Sequence, residues 1–230
     1  ILANTQSKGT TLNQVNAALD ELNRYADKTI YNFTEMTRNI GTFTAAGIDL
    51  DTSVNAIQGI ANLAAVSGST SQQASVAMYQ LSQALASGTV KLMDWNSVVN
   101  AGMGGEVFQN ALKQTAREYG IAVDSIIEKA GTFRESLKDG WITSEVLTTT
   151  LKKMTVTGVD EYLAKLTGIS QQHIAAMHEE AASSADMEKG FRDLARELAA
   201  TGKVTEEQAY QLLNMSTTAQ DAATKVKTFS

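Results

Sequence analysis

Few residues in this chain have the type and spacing to do chemistry. The two histidines, His173 and His178, lie five apart. On a helix that spacing sets them about 140° apart around the axis, so one face cannot offer both to a metal. The pair His178-Glu179 lacks the second histidine of a zinc-protease helix. Both histidines therefore read as solvated or core side chains. Asp139-Gly140-Trp141-Ile142 resembles the middle of a calcium loop. With Gly140 as sixth loop residue, however, the third and twelfth ligands would be Leu137 and Val146, which cannot coordinate calcium. The Gly202 corner fails in the same way, with Ala199 and Gln208 at those places.

The loop Gly102-Met103-Gly104-Gly105 is glycine-rich, but no strand precedes it and no lysine–serine or lysine–threonine pair follows. It serves as a flexible loop rather than a phosphate cradle. Glu179–Glu180 and Glu206–Glu207 read as first-turn or exposed-face charges. No serine sits in a nucleophile elbow. This reading assigns no catalytic residue, no cofactor and no metal. Trp95, Met103 and Trp141 are the candidate partner-binding anchors, with burial in the core as the competing reading for aromatics at helix corners.

Composition agrees with a chain that works by contact. There is no cysteine, which excludes thiol catalysis, disulfide frameworks and cysteine zinc sites. There is no proline in 230 residues, where average usage of about 5% would give roughly eleven. The net charge of −6 is spread without a basic stripe, and no cationic run exceeds Lys152–Lys153. Nothing in the charge pattern points to sequence-specific nucleic-acid binding. No stretch of about 18 apolar residues exists to span a bilayer. The first residue is Ile1, no signal peptide is visible, and the sequence reads as a segment of a longer polypeptide.

The elements that must position these residues are helices, and the predicted fold is all-α. Residues 1–12 are expected to be frayed. Thr11 and Gln14 form a capping box, and Leu12, Val15, Leu19, Leu22, Ala26, Thr29, Phe33, Met36 and Ile40 step by three and four. That heptad pattern predicts one long helix over 1–41, either a core-packing helix or an intermolecular coiled coil. Shorter helices in an orthogonal array follow. Their expected faces include Val54, Ile57, Ala61 and Ala64, then Ala74, Met78, Leu81 and Leu85, then Phe108, Leu112, Thr115 and Tyr119. Near the end come Met187, Phe191, Leu194 and Leu198. Asp51, Thr52 and Ser53 offer the first cap; Ser69/Gln72 and Thr70/Gln73 are overlapping capping boxes. Ser87-Gly88-Thr89-Val90, Asp139-Gly140-Trp141-Ile142 and Thr201-Gly202-Lys203-Val204 read as recurrent glycine corners between helices. The expected divisions are the long helix 1–41, a helical domain 42–158, and a further helical subdomain 159–230.

Several ordered runs resemble phage tail tape measure proteins of siphophages and prophages of Gram-positive bacteria. They are Tyr25 to Phe33, Asn39 to Phe43, Ala46 to Asp51, Ile60 to Gly68, Ala77 to Leu85, Lys91 to Val98, and Asp139 to Leu147. The resemblance is good from about Leu22 to Leu151 and thinner beyond. It implies a non-enzymatic virion assembly protein that templates tail-tube polymerisation, sets tail length through its chain length, and takes part in DNA ejection. It further implies the tail-tube protein, tail assembly chaperones and other copies of itself as partners, in the phage tail lumen after synthesis in the host cytoplasm. Host membrane would be met only through segments outside this one. Sixteen glycines interrupt this segment, so residues 41–230 are expected to fold back into compact layers. The alternative is a helical binding module for a tail chaperone or host partner.

Overall fold

In the computed structural model, residues 1–228 are described, with side chains through Thr224; Phe229 and Ser230 of the expected 159–230 subdomain lie outside the described residues. Fourteen α-helices and no strand are found among the described residues. The chain divides into two compact units, residues 1–152 with 222–230, and Lys153–Asp221. Gly158, the expected boundary, lies inside a helix whose N-cap, Thr155, accepts a hydrogen bond from the Gly158 amide.

The first unit opens with α1 (Leu2–Thr5) and a 3₁₀ turn over Gln6–Lys8, so the expected frayed start is ordered. Asn4 Nδ2 ties it down by donating to Thr44 Oγ1 and the Gly41 carbonyl. The long helix predicted over 1–41 is two helices, α2 (Leu12–Lys28) and α3 (Phe33–Ala45). The expected Thr11/Gln14 capping box starts α2. Two polar side chains explain the interruption. Thr29, in extended backbone, donates its hydroxyl to the Tyr25 carbonyl and closes α2. Asn32 then accepts from the Thr34 and Glu35 amides and starts α3. Short polar side chains of this kind satisfy backbone groups locally, and here they override the heptad periodicity. The two helices pack on each other and on α4 (Leu50–Val66), so Leu22, Met36 and Ile40 serve the core of this unit.

α4 (Leu50–Val66) begins at Asp49, upstream of the expected Asp51–Ser53 caps, with Asp49 Oδ1 accepting the Thr52 amide. Twelve of its seventeen residues are buried. A helix apolar or neutral on every side belongs in the middle of its unit, and α4 packs against α2, α3, α5 (Ser71–Ser87) and α10 (Ser144–Lys152). Thr70/Gln73 caps α5 as predicted, while Ser69 instead donates to the Ala101 carbonyl. Between α5 and α10 run α6 (Leu92–Asn100), α7 (Glu106–Glu118), α8 (Val123–Ala130) and α9 (Phe133–Ser136), which passes into a 3₁₀ turn. The faces read from periodicity for α4, α5 and α7 are buried, save Tyr119 at the end of α7.

The glycine corners behave as a pair. Gly88 and Gly140 both take positive φ, 88° and 63°, which glycine adopts without a Cβ clash. The residues after them bond to each other: the Val90 amide donates to the Ile142 carbonyl at 2.9 Å and the Ser144 amide to the Gly88 carbonyl at 3.0 Å. One isolated antiparallel bridge, Thr89 to Thr143, results.

The second unit holds α11 (Val156–Thr167), α12 (Gln171–Ser183), α13 (Met187–Ala199) and α14 (Glu206–Thr228), whose last turns are grouped with the first unit. Its core joins Val159, Leu163, Ile174, Phe191, Leu194 and Leu198 with Leu212 and Leu213. The third glycine corner, at Gly202, connects α13 to α14.

Two helical glycines give opposite expectations. A Cβ on Gly59 of α4 would stand 2.1 Å from the Leu151 carbonyl oxygen, a backbone atom of α10, whereas one on Gly41 of α3 meets nothing within 4 Å. Gly59→Ala should cost about 3 kcal/mol by forcing the helices apart. Gly41→Ala should stabilise by about 0.5–1 kcal/mol through helix propensity. Urea denaturation of both variants checks the pair, and a neutral Gly59→Ala would contradict the close approach.

Candidate functional site

Trp95, Met103 and Trp141, the anchors expected for a partner, are all interior. Trp95 and Trp141 are each 3% exposed and Met103 1%. α6 points Trp95 inward beside Val98, and the α6–α7 loop tucks Met103 beneath it, with the Met103 amide donating to the Val98 carbonyl. Trp95 stacks on Phe108 of α7 with centroids 5.8 Å apart, and lies 4.9 Å from Phe133 of α9. Phe133 meets Trp141 edge-on at 5.4 Å. The Trp141 indole nitrogen donates to Ser136 Oγ at 3.0 Å, so its one polar atom is satisfied inside. These contacts bring Trp95 and Trp141 into one aromatic core, with Met103 buried on the neighbouring loop. In this arrangement none of the three side chains presents a face to a partner.

The histidines separate in just the way their angular spacing allows. His173 is exposed, with Nε2 2.7 Å from Glu197. His178 is 1% exposed and completes a chain of three side chains that sequence spacing did not reveal. Its Nδ1 lies 2.6 Å from Asp160 Oδ1 on α11, and its Nε2 lies 2.8 Å from Thr217 Oγ1 on α14. With Nδ1–H donating to the carboxylate, Nε2 accepts from the threonine hydroxyl and every facing atom is used. Phe191 of α13 closes the site with its ring edge-on to the imidazole, centroids 5.5 Å apart.

Hydroxyl, imidazole and carboxylate in this order are the parts of a nucleophile-activating relay. Here all three residues are buried, so Thr217 has no open side from which an acyl group could approach. What the arrangement accomplishes is positional: one polar chain fastens α11, α12 and α14 in a single register. The three residues stand 18 and 39 positions apart in sequence, and no local pattern links them.

The first unit has a polar seam of its own. Gln58 of α4 donates to Glu21 of α2 at 3.0 Å, and Tyr25 donates its hydroxyl to Asn62 Oδ1 at 2.7 Å. Tyr25 is partly exposed as a residue, but its hydroxyl ends against the fully buried Asn62. Burial, reinforced by neighbouring Tyr31, holds the Tyr25 hydroxyl well above its usual ionisation range. Burial alone pushes Tyr31 up to about 12, and its hydroxyl has no hydrogen-bond partner among the described residues. Among the described residues no cluster of three or more acidic or histidine side chains could hold a metal ion. Nor is any described helix long and apolar enough to cross a membrane.

Two measurements follow from these clusters. Replacing His178 with alanine strands the Asp160 carboxylate indoors and should cost about 3 kcal/mol. Both tryptophans lie in the first unit, so hydrogen exchange in α11 and α12 is the appropriate readout; unchanged protection there would refute the fastening role. The tyrosine seam has an alkaline limit. A raised tyrosine pKa means the folded state favours the neutral phenol, so this stabilisation is complete below about pH 10 and is lost as pH rises through about 12. Ultraviolet titration of tyrosinate should show a late component that the Tyr25→Phe/Tyr31→Phe variant lacks. Ionisation of all six tyrosines together near pH 10 would contradict the burial.

Comparison with known proteins gives one family. Residues 3–186 match the family described as tape measure protein. No curated protein and no solved structure matches the chain. The family match runs from within α1 to beyond the end of α12 and takes in the aromatic core, the paired glycine corners, and Asp160 and His178 of the buried relay. Thr217 falls outside it. A match across four fifths of an all-helical chain settles the question that the individual residues left open: this chain belongs to the tape measure protein family, a structural family of the phage tail.

Proposed function

We propose that this chain is a folded module of a tape measure protein on which tail-tube subunits polymerise, in a particle whose tail length follows the length of the whole tape measure. The observation that carries the reading is the family match over residues 3–186. The partners proposed with it are the tail-tube protein, tail assembly chaperones and further copies of the chain, and the proposed site of action is the tail lumen, with a later part in DNA ejection. A helix converts residues into distance at about 1.5 Å each. The longest described helix, α14, has 23 residues and thus spans about 34 Å. Two compact units of short helices add little length per residue, so this module contributes contact surfaces while extended parts of the full protein supply the measure.

Duplicating the segment in frame within the full-length protein should lengthen tails by less than 1.5 Å per added residue, as seen by electron microscopy of the particles. Tails of unaltered length would speak against a length-setting role. Tails lengthened by the full helical rise would speak against a compact module.

A further inference from the structure

Buried ionisable groups are divided unevenly between the two units. Among the described residues, three buried side chains carry a charge or gain one in acid: Lys153, Asp160 and His178, none more than 2% exposed. All three lie in the second unit. The buried polar side chains of the first unit are threonine, serine, asparagine and glutamine, with Tyr31 as its buried phenol. None of these takes up a proton in acid. Paired carboxylates of the first unit, Asp124 with Arg117 and Glu135 with Lys138, stand at the surface, where water screens them. In the second unit, α11 presents the Asp160 carboxylate to the His178 ring, α14 the Thr217 hydroxyl and α13 the Phe191 ring. Of these only Asp160 is charged. Lys153 holds its ammonium 4.2 Å from the centroid of the Tyr162 ring and adds a positive group to the same unit. Other ion pairs of the unit, among them Lys165 with Glu161, His173 with Glu197 and Arg192 with Glu207, reach water.

Acid acts on this enclosed pair in one direction. A second proton on the ring makes an imidazolium, which Asp160 neutralises only while its carboxylate is ionised. Once Asp160 takes a proton as well, the ring is a buried cation with no anion facing it, the costly case for an enclosed charge. In the opened chain water solvates both groups, and they take up their protons at about pH 6.5 and about pH 3.9. The open form of the second unit therefore binds these protons more readily than the closed form, and its stability falls as pH falls. The tyrosine seam of the first unit stays neutral over this range and responds only to alkali.

We propose that the Asp160–His178–Thr217 relay is an acid-released latch: low pH opens the second unit while the first stays folded. The module then has a half-open form, with α11 and α12 unlatched and the core around α4 intact. Hydrogen exchange of the 230-residue chain, corrected for the intrinsic pH dependence of exchange, tests this between about pH 7 and about pH 4. Protection in α11 and α12 should fall about tenfold or more per pH unit at the acid end. Protection in α4 and the fluorescence of Trp95 and Trp141, all in the first unit, should hold. Asp160→Asn/His178→Gln keeps hydrogen-bonding side chains in place without ionisable groups. It should move the acid transition of α11 and α12 down by about one pH unit or more. The proposal is overturned if α4 and α11 lose protection together in one transition, or if the second unit keeps its protection down to about pH 3. It is equally overturned if the folded double variant opens at the same pH as the unaltered chain. The first two outcomes need only the unaltered chain, so they decide the matter even where the variant does not fold.

Discussion

The architecture of the first unit depends on burying α4 on every side. A helix with twelve of seventeen residues enclosed needs neighbours all round, and α2, α3, α5 and α10 supply them. Such enclosure is tolerable only if the helix brings no charge inside, since an unpaired buried charge costs several kcal/mol. From Thr52 onward α4 has none, and its polar residues are short or amide-bearing and find partners: Ser53 bonds back to Asp49, Gln58 to Glu21, Asn62 to Tyr25. Gly59 admits the α10 backbone closer than any side chain would.

The second unit is fastened differently. Its four helices carry more charge, and α13 meets α14 through Arg192 with Glu207 and Arg196 with Glu206 at the surface. Exposed pairs of this kind are screened by water and contribute little to stability. The His178 relay is buried, and its worth lies in what breaking it would leave unpaired. A side-chain geometry that elsewhere activates a nucleophile is here enclosed by Phe191 and the surrounding helices, and without access it has no substrate to act on.

Local signals were legible because they are local. Thr11 with Gln14 and Thr70 with Gln73 form the capping boxes their spacing predicts, and glycines at 88, 140 and 202 turn the chain where expected. The helix break at 29–32 is also local, set by Thr29 and Asn32, but the periodicity of threes and fours runs straight through these two polar residues and masks it. Trp95 and Trp141 illustrate the opposite limit. Aromatics at corners suit a core or an interface equally well, and only the positions of Phe108 and Phe133 decide between them.

By itself, the sequence determined the helical class, the capping boxes at Thr11 and Thr70, the buried faces of α4 and α5, and a family likeness carried by ordered runs. These are consequences of backbone propensity, capping and periodicity, all of which act over a few residues. Tertiary structure alone decided which glycine touches a neighbouring backbone, which histidine is enclosed, and which uncharged helix is central and which lies open. Those outcomes depend on contacts between residues tens of positions apart, such as Asp160, His178 and Thr217, and no short-range pattern encodes where distant helices will meet.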